Sequence, residues 1–153
     1  MAYWLYKSEP GVYSYDDLAR DGRTEWEGVR NFLARNYLKQ AKVGDEVLFY
    51  HSNAKPQAII GIAKVVQEAY PDTSAWDPND EKHFDPKSTE AKPVWFMVDI
   101  GPVRKLPNPV TLEMVKATPA LKDMVLVKSS RLSVQPVTDT EWKLVLEMAG
   151  EKG

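Results

Sequence analysis

The segment Ala58–Val66 (AIIGIAKVV) constrains this chain more than any other, because a run dominated by Ile, Val and Ala is the composition of a buried β-strand. Gly61 at its centre marks a bulge or a close backbone approach. Four more segments read as strands: Tyr3–Lys7, Glu46–His51 (EVLFYH), Pro93–Ile100 (PVWFMVDI) and a short one at Ser133–Val137. Helical signals lie between and around them. Ser14 and Asp17 have the spacing of a capping signal ahead of a short helix to about Arg20, closed by Asp21-Gly22. Ala34, Tyr37, Leu38 and Ala41 recur at helical spacing, which predicts a helix within 31–42 with Asn31 as a candidate cap. Thr111–Ala117 reads as a short helix. Thr138 and Glu141 form a capping box before the buried stripe Trp142, Val145, Leu146 and Ala149. Pro102, Pro107 and Pro109 forbid a long helix after Ile100. Five or so strands with short flanking helices predict one mixed α+β domain over 1–149, built around a small curved sheet or barrel, with 150–153 as a tail.

Composition narrows the function. No cysteine is present, so disulfides, thiol nucleophiles and thiolate metal sites are excluded. His51 and His83 are the two imidazoles, and neither sits at a metal-ligand spacing, so no metal and no cofactor are expected. Neither a phosphate-binding glycine loop nor a nucleophile elbow occurs. There is no signal-peptide pattern at Met1–Lys7 and no long apolar run, so a cytoplasmic chain with no membrane partner is expected. Nothing reads as a dimerisation helix, and a monomer is expected.

A net charge of −2 argues against coating nucleic acid by bulk electrostatics. The charge is segregated, however. Arg30, Arg35, Lys39 and Lys42 fall in an acid-free stretch, which is either a solvated helix face or a phosphate-contacting patch. The segment Pro71–Lys92 is long, acidic and without period, the kind of loop that is functional or mobile.

Polar and aromatic residues cluster at element ends: Lys7-Ser8-Glu9-Pro10, Trp26 with Gly28-Val29-Arg30-Asn31, Arg35-Asn36, His51-Ser52-Asn53 and Ser130-Arg131-Leu132-Ser133. Such an inventory suits a flat, polar heteroaromatic ligand. An indole stacks on a base for about 1–3 kcal/mol, Asn offers donor and acceptor together, and Arg30, Arg35 and Arg131 suit flanking phosphates. Trp4, Trp95 and Trp142 are read as core. Trp26 stands open between core and ligand wall. Asn31 has the alternative of a plain helix cap, and His51 that of a satisfied strand-end histidine.

The same residues carry a family resemblance. WLYKSEP (4–10), YSYDDL (13–18), WEGVRNFLARN (26–36), GDEVLFYHSN (44–53), IIGIAKVVQEAYPD (59–72), AWDP (75–78) and LSVQPV (132–137) resemble the EVE domain, in order and across nearly the whole chain. The resemblance implies a PUA-like fold, a bent β-barrel of five to six strands with short flanking helices. It implies a non-catalytic module that flips a modified base, of the 5-methylcytosine type, out of DNA or RNA into an aromatic pocket. By that resemblance Trp26 is the stacking wall, Lys7 and Ser8 are the pocket lip, and Asn31, Ser52 and Asn53 meet the base edge. Arg30 and Arg35 take the backbone. Tyr70, Asp72 and Trp76 close the cavity from the long loop, unless that loop is a flap without ligand contact. The alternative is an ASCH-like amidohydrolase acting on a modified nucleoside, with Lys7 and Glu9 as an acid–base pair.

Overall fold

A computed structural model describes residues 1–151; positions 152 and 153 of the expected tail lie outside the described residues. The strands are β1 (Tyr3–Ser8), β2 (Thr24–Glu25), β3 (Glu46–His51), β4 (Ala58–Pro71), β5 (Phe96–Thr111) and β6 (Val134–Val137). The helices are α1 (Tyr15–Asp21), α2 (Phe32–Gln40), α3 (Leu112–Lys116), α4 (Val125–Lys128) and α5 (Asp139–Met148). The strands form one mixed sheet in the order β2-β5-β4-β3-β1-β6, with β1 and β3 parallel and all other pairs antiparallel.

Period-two alternation buries both faces of this sheet. Trp4 and Tyr6 of β1 join Val47 and Phe49 of β3 on one face, beneath Leu18 of α1 and Leu38 of α2. Leu5, Leu48 and Tyr50 point the other way, into a second cluster closed by Val115, Met124, Trp142 and Val145. Trp4 is core, its indole N–H donating to Asp45 at 3.0 Å, and Trp142 stacks on Tyr3. Trp95 is buried against Phe32.

The capping signals hold. Ser14 and Asp17 form a reciprocal box on α1, as do Thr138 and Glu141 on α5. Two elements exceed their sequence signals. The strand starting at Ala58 runs to Pro71, and β5 continues through Pro102, Pro107 and Pro109. Those prolines coincide with two breaks in the β4–β5 register: Ile62 faces Arg104 while Ala63 faces Pro102, and Gly61 faces Lys105 while Ile59 faces Val110. Pro107 and Pro109 fall in the stretch the ladder skips, and Pro102 sits at the edge of a break, so the missing N–H groups lie where pairing is already interrupted. Gly61 lies at one break, and a Cβ there would stand 2.6 Å from the Tyr15 ring, so both readings of this glycine apply.

The expected barrel is left unclosed. Its edges are β2 and β6, two and four residues long, and they do not pair with each other. Short edges offer little template for intermolecular pairing. Curling brings both edges to a common seam, because residues beside each of them line one cavity.

Candidate nucleic-acid interface

The seam holds a cavity of about 450 Å³, within the range of small-molecule sites. Lys7 and Ser8 come from the end of β1, Thr24 and Glu25 from β2, and Ser133 from the approach to β6. Trp26 to Arg30 form its floor and His83 reaches in from the long loop, while Val12 and Tyr13 complete the rim.

Trp26 is both core and wall. Its ring packs 5.6 Å from Tyr6 and edge-on to Phe49 at 5.5 Å, and it is 8% exposed, yet it lines the cavity. Lys7 donates to the carbonyl of Ser130 at 2.6 Å, which ties β1 to the loop carrying Ser133. Burial pulls the Lys7 ammonium below its ordinary value. Ser8 donates from Oγ to the carbonyl of Tyr13 at 2.6 Å and holds the rim turn in place.

Arg30 stands at the cavity but is spent inside the protein. Nε and Nη2 donate to the carbonyl of His83 at 3.0 and 2.6 Å, and Nη2 also reaches Ser74 Oγ at 3.2 Å. Nη1 donates to the Val29 carbonyl at 3.0 Å and to Asp72 Oδ2 at 3.1 Å. A guanidinium has five N–H donors, so none is left for a phosphate oxygen. The expected backbone contact is thus replaced by a clamp that pins the 72–84 segment over the residues after Trp26.

Asp72 is the centre of that clamp rather than a lid. It is fully buried and also accepts from the backbone N–H groups of Gly28 and Ser74 at 2.8 and 2.9 Å. Burial raises its proton affinity most, but the hydrogen bonds from Ser74, Gly28 and Arg30 outweigh it and hold the carboxyl below its ordinary value. Gly28 has φ +83, and a Cβ there would lie 2.5 Å from His83 Nε2, so glycine is what lets the imidazole close against the floor. His83 Nδ1 lies 3.0 Å from Asp80 Oδ2.

The other expected site residues lie apart from the cavity. Asn31 is exposed and accepts from the Ala34 N–H at 2.9 Å as the α2 cap. Ser52 donates its N–H to the Ser8 carbonyl at 3.0 Å, beside the cavity but not lining it. Asn53 is exposed with φ 48, a left-handed turn position that asparagine tolerates. Arg35 leans over Phe32 and donates to the Val94 carbonyl at 3.1 Å. Arg131 is exposed and, among the described residues, has no hydrogen-bond or ion-pair partner. Tyr70 donates its hydroxyl to Asp99, away from the cavity. Trp76 lines a separate cavity of about 330 Å³ with Phe84, Pro86 and Ser88. His51 is the satisfied strand-end histidine, accepting from the Tyr15 N–H at 3.0 Å. Among the described residues no ion pair joins Lys7 to Glu9, and no cluster of metal-ligating side chains occurs.

Ser133, from the polar cluster at 130–133, does line the cavity, whereas Glu27 and His83 were missed as site residues. Glu27 had a signal, as the immediate neighbour of Trp26. His83 had none, because 53 positions separate it from Arg30.

An open six-stranded mixed sheet with helices on both faces and a cavity at its seam is the architecture of a PUA-like domain. The chain belongs to the EVE domain family, whose pattern it matches over residues 2–148. Human thymocyte nuclear protein 1 is 42% identical, the alignment covering 96% of this chain and 73% of that protein. A hypothetical protein from Leishmania major superposes with a TM-score of 0.93 at 45% identity, covering 98% of this chain and 95% of that one. The human THYN1 protein in complex with 5-methylcytosine-containing DNA superposes with a TM-score of 0.93 at 40% identity, covering 100% of both chains. A mutant ASCH protein from Zymomonas mobilis shares the fold alone, with a TM-score of 0.54 at 8% identity. Among the described residues no helix is long and apolar enough to cross a membrane.

Proposed function

We propose that this chain is a non-catalytic reader that takes one modified base, of the 5-methylcytosine type, out of DNA and into the cavity beside Trp26. The observation that carries this reading is the 450 Å³ opening at the sheet seam, with an indole in its wall and polar groups around its rim. A base out of its stack needs this combination: an apolar face to lie on and a few fixed groups to meet its edge. The DNA complex of the human relative supports the same ligand class. Arg131, without an internal partner among the described residues, takes a flanking phosphate. Few such contacts make the binding salt-sensitive with a shallow slope.

Trp26→Ala is a poor test, since truncating so buried a ring costs about 3–5 kcal/mol of stability. Ser133→Trp fills the cavity from a half-buried loop position instead. Fluorescence polarisation with matched oligonucleotides should show wild type preferring 5-methylcytosine over cytosine and the variant losing that preference at an unchanged melting temperature. A well-folded variant that discriminates as wild type does would refute the assignment.

A further inference from the structure

Several polar side chains of the cavity are tied to the protein itself. Lys7 is held by the Ser130 carbonyl, Ser8 by the Tyr13 carbonyl and Arg30 by its own clamp. Tyr13 donates to Asp21, and His83 is turned to Asp80 and packed against Gly28. Asn31, Ser52 and Asn53 are not in the lining, so the edge of a base must be met by something else. Glu27 remains. It follows the wall residue Trp26 directly, lines the cavity, and among the described residues has no hydrogen-bond or ion-pair partner.

We infer that Glu27 reads the hydrogen-bonding edge of the base in the cavity and selects 4-aminopyrimidines over 4-oxopyrimidines. The inference rests on the base-reader proposal above and names what its site distinguishes. A carboxyl group accepts from the exocyclic N4–H of cytosine. In its protonated form it also donates to ring N3, which makes two parallel hydrogen bonds with one proton shared between Oε and N3. A 4-oxopyrimidine offers that proton only a weakly basic carbonyl oxygen, and its own N3–H turns a donor where cytosine has an acceptor.

The surroundings shift Glu27 toward the protonated form, although the residue is exposed. Burial and then the Asp72 carboxylate raise the proton affinity of Glu27, with Glu25 and Asp80 adding to the rise and His83 opposing it. The two cations of the lining are engaged elsewhere, Lys7 at Ser130 and Arg30 at Asp72. The 5-methyl group plays no part in this recognition. It is the business of the apolar wall.

Four oligonucleotides separate the two contributions: cytosine, 5-methylcytosine, uracil or thymine at one position, each opposite an abasic site so that no base pair must open. Wild type should bind each 4-amino base about tenfold or more tighter than its 4-oxo counterpart, the size expected of a good bidentate contact. Glu27→Gln should bring that ratio to about threefold or less, because a carboxamide turns to suit either edge. Its melting temperature and the gain from the 5-methyl group should persist. The wild-type preference should also weaken as pH rises, and the Glu27→Gln ratio should not. A variant that keeps the full amino-over-oxo ratio, or a wild type without one, overturns the role of Glu27. A wild type indifferent to the 5-methyl group in both pairs overturns the reader assignment instead.

Discussion

Removing the Arg30 side chain separates a structural clamp from a phosphate contact. In Arg30→Ala the buried carboxylate of Asp72 loses its counter-charge, the His83 carbonyl loses two donors, and the 72–84 segment loses its tie to the cavity floor. Breaking a buried ion pair by deleting one partner costs about 3–5 kcal/mol. Asp72 keeps the Gly28 N–H and both donors of Ser74, and the Arg30 side chain is itself 21% exposed, so the lower end applies. About 3 kcal/mol in a domain of this size lowers the melting temperature by about 6–12 °C. Thermal unfolding at neutral pH reads the loss, and hydrogen exchange should show 73–95 opening ahead of the sheet. The Asp72→Asn change in the same background should add less than it costs alone, because the two act as one unit. A contact to DNA predicts the opposite pattern: an unchanged melting temperature, weaker binding and a salt slope reduced by about one. That pattern would refute the clamp. Acid should also loosen it. The folded Asp72 carboxyl lies below its ordinary value, so its stabilisation is present above that value and is lost as pH falls through the folded one.

Two further outcomes follow from buried groups. The Tyr6 hydroxyl is buried without a hydrogen-bond partner among the described residues, and burial pushes its pKa up. Tyr6→Phe removes that desolvation penalty and should leave stability unchanged or raise it by about 1 kcal/mol in denaturant unfolding; a loss of that size would mean the hydroxyl is satisfied. His51 is held below its ordinary value chiefly by burial, with Lys105 acting in the same direction and Asp16 against it. The unfolded chain therefore takes up the proton first, and the stability His51 contributes is present above its ordinary value of 6.5 and lost as pH falls through the folded one. Unfolding free energies at pH 7 and pH 5 should differ more in wild type than in His51→Gln, and equal differences would contradict this account.

Local chain physics made most of the elements legible. A capping box is written in residues three apart, so Ser14–Asp17 and Thr138–Glu141 announced α1 and α5 without any knowledge of the fold. Alternation and β-branched composition did the same for β1, β3 and the first half of β4. Trp26 was recognisable as exceptional because it falls outside any apolar period, and Lys7 and Ser8 because they end a strand. By contrast, β5 ran on past its prolines because register breaks against β4 absorbed them, which is a property of the pair and not of either strand.

Allocation of side chains at the cavity was decided only by tertiary structure. An isolated stretch of sequence does not say whether a guanidinium is free or spent. Arg30 was spent by Asp72 and His83, which lie 42 and 53 positions away. Asn31 had its acceptor taken by its own helix, as a cap does, and Glu27 was left without a partner among the described residues. The sequence by itself determined most of the elements, the caps of α1, α2 and α5, and the aromatic residue of the wall, but not β2, α4 or the length of β5. Where the curled sheet failed to close, and which polar groups its seam left unpaired, depended on contacts between segments distant in the chain, and hydrogen-bond capacity spent across such distances has no local signature.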